Sequence, residues 1–179
     1  MDIDKLKYPI GKFRYPKEIN ASLIDLWIED IRSFTDKLKN EVEGLSEDQV
    51  KWRYRPEGWN IQQVVHHCAD SHMNSLVRFK LTLTEDKPTV KAYFEDRWAE
   101  LSDSTSVPIE WSLTLLDGLH KRWVHLLKSL EPSDLLKTFI HPESGREIRI
   151  DENIALYSWH SNHHLAHVQQ AKRYEGNFN

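Results

Sequence analysis

Hydrophobic side chains recur every third or fourth residue in four separate stretches of this chain, a spacing that predicts four amphipathic helices. The first stretch opens after Asn20 and carries Leu23, Trp27, Ile31, Phe34, Leu38 and Val42, with Gly44 as its stop. The second follows Asn60, which with Gln63 can form a capping box, and places Ile61, Val65, Cys68, Met73, Leu76, Phe79 and Leu83 before about Thr84. Pro108 starts the third, with Ile109, Leu113, Leu116, Leu119, Trp123, Leu126 and Leu130 on its inward face, and Pro132 ends it. Asp151 is the expected cap of the fourth, which runs from Glu152 to about Tyr174.

The connecting segments complete the picture. Two prolines, a glycine and three aromatics between Tyr8 and Pro16 predict an arm that packs on the domain without regular structure. Ser46 and Gln49 read as a capping box for a short helix, and Arg53 to Gly58 as a loop. Residues 85 to 107 are polar around Tyr93, Phe94 and Trp98, and their length fits a crossover or a lid. Thr138 to Ile150, broken at Pro142 to Gly145, alternates as a small β-hairpin does. With no internal repeat and no linker, residues 1–179 form one domain in this reading. The fold class is all-α, a four-helix bundle with a long loop and a small hairpin, and bundles place metal sites between facing helices.

Composition narrows the function. Hydrophobic residues at 39% and charged residues at 29% suit a soluble globular protein. A net charge of −4 with no basic stripe argues against a partner bound through its phosphates, so no nucleic acid is expected. No apolar run is long enough for a membrane span, and the first residues lack the apolar core of a secretory signal. A single cysteine, Cys68, excludes an internal disulfide and fits a reducing cytoplasm. Its mid-helix position between His67 and Ala69 makes it a small buried apolar residue rather than a nucleophile.

The chemistry is concentrated in the fourth helix. His160, His163, His164 and His167 fall within eight residues, and steps of three, four and seven put all four on one side of a helix. Two histidines at i and i+4 can aim ring nitrogens at one ion. His160 with His164 has this spacing, and so does His163 with His167, so spacing leaves the register open. A third ligand must come from elsewhere, and the second helix is the other long helix with histidines in its middle. There His67 borders the apolar face and Asp70 lies one turn further on, whereas His66 and His72 have structural roles open to them.

Trp59, His67, Cys68, Ala69 and Asp70, followed far downstream by His160 and His164, resemble the DinB-like superfamily of metal-binding four-helix bundles. The likeness is closest to its YfiT-like branch, described as metal-dependent hydrolases and related to bacterial thiol S-transferases such as the bacillithiol transferases. Tyr8-Pro9-Ile10-Gly11, Gly58-Trp59, Gln63 to His67, Ala69 to Asn74, Arg78 to Leu81 and Trp159 to His167 carry it over nearly the whole chain. The resemblance implies an uncommon helix order, a homodimer and a divalent metal ion, zinc first and nickel second, on His67, His160 and His164.

Three imidazoles leave an ion with open positions, as in catalytic sites. Such an ion can activate water, polarise a carbonyl or bind a thiol, so hydrolysis of a small molecule and thiol transfer with a low-molecular-weight thiol need the same ligands. A metal that merely staples the bundle is the third reading. No glutamate follows His160 as in H-E-x-x-H proteases. Asp70, His163 and His167 are therefore the candidate catalytic groups, as a base or as partners that orient a ligand ring.

Overall fold

The computed structural model describes residues 2–178. Its helices are α1 (Ile3–Lys7), α2 (Ala21–Val42), α3 (Ile61–Thr84), α4 (Glu95–Trp98), α5 (Ser102–Thr105), α6 (Ile109–Lys128), α7 (Pro132–Leu135) and α8 (Ile150–Tyr174). Strands β1 (Thr138–Ile140) and β2 (Glu147–Arg149) pair antiparallel, with Phe139 opposite Ile148. The first two long helices start where their backbone donors find side-chain acceptors. Asn20 accepts from the Leu23 amide, and Asn60 and Gln63 cap each other reciprocally, at 2.8 and 3.2 Å.

The four long helices pack as a square in which α2 touches α8 and α6, and α3 touches α6 and α8. The first and second long helices thus lie on one diagonal and the third and fourth on the other, with α3 and α6 the one consecutive pair in contact, which is the uncommon order the resemblance implies. Two apolar clusters fill the bundle. One holds Phe34, Leu38, Val65, Leu116 and Val168; the other holds Ile28, Ile31, Phe79, Trp123 and Ile154. Between them, at one level, stand His72 of α3, His120 of α6 and His160 of α8. Truncating a core anchor such as Trp123, fully buried at 0% exposure, should cost about 3–5 kcal/mol. Among the described residues, no helix is long and apolar enough to cross a membrane.

Several expectations are corrected. The last helix is capped by Arg149 rather than Asp151: Glu152 accepts from the Arg149 amide at 3.0 Å, while Asp151 sits inside the first turn and ion-pairs with the Arg149 side chain. Arg149 also pairs with Thr138 in the hairpin, and the Ile150 amide donates to the Lys137 carbonyl at 3.0 Å, so the strand passes directly into the helix. The third helix ends at Lys128, and Pro132 opens α7. Ser46 and Gln49 do bond each other, but only a 3-10 turn over Gln49–Lys51 follows. Residues 3–7 are helical, capped by Asp2, and residues 85–107 contain α4 and α5.

Candidate metal centre

His67 projects from α3, and His160 and His164 project one turn apart from α8. The Nε2 atoms of His67 and His160 are 3.3 Å apart, and one ring nitrogen from each of the three residues lies within 4.8 Å of the other two. Donors at 2.0–2.1 Å from a tetrahedral ion stand about 3.3–3.4 Å from each other. The His67–His160 distance is therefore the edge of a coordination tetrahedron. Two proton-free nitrogens so close repel each other unless positive charge lies between them. Burial, and then the neighbouring His163, pushes His67 down to about 4; burial and the surrounding imidazoles hold His160 and His164 well below the ordinary histidine range. All three are neutral at pH 7, the form a metal needs. This donor set fits a divalent ion that accepts nitrogen ligands.

Two hydrogen-bond chains decide which nitrogen of each α8 ligand is free. A backbone carbonyl can only accept, so His120 Nδ1, 2.7 Å from the Ile31 carbonyl, must carry its proton. Burial lowers His120 to about 4, so the ring is neutral and its Nε2 is bare. That Nε2 accepts from His72 Nδ1 at 2.7 Å, and His72 Nε2 in turn accepts from His160 Nδ1 at 3.1 Å. His160 is left with a bare Nε2 turned toward His67. The second chain starts at the Lys7 carbonyl, which accepts from His167 Nε2 at 3.0 Å. His167, lowered to about 3 chiefly by burial, then offers bare Nδ1 to His164 Nδ1 at 3.3 Å. His164 Nε2 is bare for the same reason. His160 and His164 are thus each fixed in the tautomer whose Nε2 is bare.

The cluster opens into a cavity of about 390 Å³ walled by Trp59, Tyr93 and Trp159. His163 lines it, stacked on Trp159 at 4.3 Å, with a buried Nδ1 that has no partner. Tyr157 donates to the Ser71 carbonyl at 3.2 Å, and Ser71 Oγ lies 3.4 Å from His160 Nε2. Asp70 is half-buried and is not among the side chains lining the cavity; burial, then Asp103, raises its carboxyl to about 6. His167 lies behind His164, stacked on Tyr54 at 3.8 Å. A larger hollow of about 860 Å³ between the end of α2 and the start of α6 contains no histidine.

The structure thus brings His67, His160, His164 and His163 to one cavity and places His167 in support. Sequence reasoning gave His72 only a structural role and did not single out His120. The available signal was His120 itself, four residues after Leu116 and three before Trp123, because a histidine on an apolar stripe must find a buried partner. His66 is separate and bonds Ser112 Oγ at 2.7 Å. Cys68 is buried in the apolar cluster, which raises its thiol far above the usual range.

Known proteins match this chain over nearly their full length. A protein from Bacillus mycoides (strain KBAB4), provisionally named a metal-dependent hydrolase, is 52% identical over 163 residues, covering 91% of this chain and 93% of its own. One from Bacillus cereus (strain B4264), with the same provisional name, is 49% identical over 171 residues, 96% of this chain and 98% of its own. The structure of YfiT from Bacillus subtilis, described as a probable metal-dependent hydrolase with an unusual four-helix bundle topology, superposes with a TM-score of 0.93 at 42% identity. That match covers 96% of this chain and 98% of YfiT. The family model of the DinB superfamily matches residues 31–168, from within α2 to the last histidine turn of α8, and the chain belongs to that superfamily.

Proposed function

We propose that this protein is a metal-dependent hydrolase of small molecules, with His67, His160 and His164 as the ligands of a divalent ion, zinc first and nickel second. The observation that carries the reading is the 3.3 Å approach of His67 Nε2 to the bare Nε2 of His160 at the floor of an open cavity. Among the described residues, no fourth carboxylate, thiolate or imidazole joins the three, as suits a catalytic rather than a structural site. When bound, the ion supplies Lewis acidity toward a substrate oxygen and lowers the pKa of water.

The remaining work falls to this chain's own side chains. His163 lines the cavity beside His160 and His164, where its ring meets a nucleophile that enters. Burial holds His163 at about 4, so it stays neutral and orients the nucleophile rather than storing its proton. The Tyr157 proton is committed to a backbone carbonyl, and the Ser71 hydroxyl, 3.3 Å from the Tyr157 oxygen and 3.4 Å from His160 Nε2, turns its proton from these acceptors to a substrate oxygen that enters. Trp59 and Trp159 form apolar walls that reduce the water around the reacting group.

The test is to load purified protein with zinc or nickel, measure its metal content, and assay ester, amide and phosphoester panels beside His160→Ala. Metal-dependent hydrolysis that His160→Ala lacks is the expected result. No turnover on any panel at full metal occupancy contradicts the proposal, and turnover that requires an added low-molecular-weight thiol reassigns the site to thiol transfer.

A further inference from the structure

The outer end of the cavity holds a positive charge with no carboxylate partner. Arg78 follows His67 by eleven residues on α3, so at 100° per residue the two share a face of the helix, and both line the cavity. Arg78 Nη2 donates to the Lys91 carbonyl at 3.2 Å, and its Nε is buried without a partner. No carboxylate lies within ion-pair distance of it among the described residues. His141 lines the same cavity, and its buried Nδ1 is likewise unpartnered.

The fold brings the two together. A bridge between Thr89 and Ile140, with the Val90 amide donating to the Ile140 carbonyl at 3.1 Å, ties the segment after α3 to the hairpin. That bridge sets the Lys91 carbonyl, which holds the guanidinium, close to His141. A guanidinium that lines a cavity with no carboxylate beside it keeps charged donors to spare, and a ligand that supplies a carboxylate there forms charge-assisted hydrogen bonds with it. Glu95 and Glu143 also border the cavity, but both are exposed and neither pairs with Arg78. They keep the general field at the mouth from being positive, so recognition must come from directed hydrogen bonds.

We propose that Arg78 and His141 form a carboxylate-binding end of this cavity, so that the substrate is a small acid whose reacting group lies at the histidine cluster. Eleven helical residues span roughly 16 Å. An arginine leaning toward the helix N-terminus shortens that to roughly 10 Å between the acid group and the reacting atom. The choice of reacting end rests on the hydrolase reading; the binding of the acid by Arg78 does not require turnover.

Calorimetry on the zinc-loaded, full-length chain tests this with monomethyl azelate, a mono-acid of about that length, and its uncharged dimethyl ester. The mono-acid should bind about 10-fold or more tighter than the diester, and Arg78→Met should remove that advantage while Arg78→Lys keeps part of it. Unchanged zinc content and melting temperature in Arg78→Met show that its fold is intact. Should the loss appear without those controls holding, His141→Phe, which keeps the ring volume, must weaken the mono-acid selectively for the proposal to stand. Equal binding of acid and diester, no binding at all, or an undiminished preference in Arg78→Met overturns it. The hydrolase reading fails differently, by absent turnover with the acid preference intact.

Discussion

His160 and His164 sit one turn apart on α8, yet what holds each of them comes from opposite parts of the molecule. His160 is backed through His72 and His120 to the Ile31 carbonyl, a chain that crosses three helices between the two apolar clusters. His164 is backed by His167 and then by the Lys7 carbonyl in the N-terminal segment, which is further tied down by Gln170 to the Leu6 carbonyl at 2.9 Å and by Trp159 to the Gly11 carbonyl at 3.1 Å. Both chains produce the same result, a bare Nε2. They differ in where they end: the Lys7 carbonyl belongs to an exposed N-terminal segment where water can take its place, whereas the Ile31 carbonyl lies in the middle of α2 on a residue that is fully buried.

Removing a ligand erases the comparison and has the largest effect. His160→Ala or His164→Ala should each abolish stoichiometric zinc binding, read by competition with a chromogenic chelator, because two imidazoles do not hold the ion tightly. A variant that keeps wild-type affinity would remove its residue from the centre.

Acid acts next, and on both sides, since His167 behind His164 is also held low, at about 3. The folded-state pKa values of His67 and His120, about 4, lie below their unfolded value of 6.5, so between these limits the unfolded chain binds protons that the folded chain does not. The stability of the metal-free protein should be flat above neutrality and fall as pH drops from 6.5 toward 4. The slope should approach about 1.4 kcal/mol per pH unit for each of the two. Urea melts at several pH values measure it; a flat profile from pH 7 to 5 would contradict the neutral, buried state of these rings.

His120→Phe keeps the volume but removes the acceptor for His72 Nδ1. If His72 then turns its proton to Nε2, it forces His160 into the tautomer that cannot coordinate through its inward nitrogen. Zinc affinity should fall about 10–100-fold with the ligands untouched. Deleting residues 2–12 should weaken zinc less, by about 10-fold or under, because water can replace the Lys7 carbonyl. Equal losses in the two variants would show that core and surface supports are equivalent.

The apolar stripes made the helices legible from sequence. Leu113, Leu116 and Trp123 face the core as their spacing requires, and the Asn60–Gln63 box starts α3 where expected. Asp151 misled because an acidic residue before a helical stretch looks like a cap, whereas the hairpin ladder had already fixed Arg149 in extended geometry. The five residues of α1 are too few to show a period. Within the site, spacing offered two i, i+4 pairs, His160 with His164 and His163 with His167, and a partner at His67 on α3, while the choice between the pairs came from the family resemblance. The supporting chains could not: His72 meets His120 because α3 lies beside α6, and His167 meets a backbone carbonyl that has no sequence signature.

Nitrogen-15 NMR of the imidazole rings, using couplings to the ring protons in metal-free protein near neutral pH, tests the arrangement most directly. The Nδ1–H tautomer is expected for His72, His120, His160 and His164, and the Nε2–H tautomer for His167. An Nε2 proton on His160 or His164 would contradict it, since the chains behind those ligands would then not be aiming bare nitrogens at a metal.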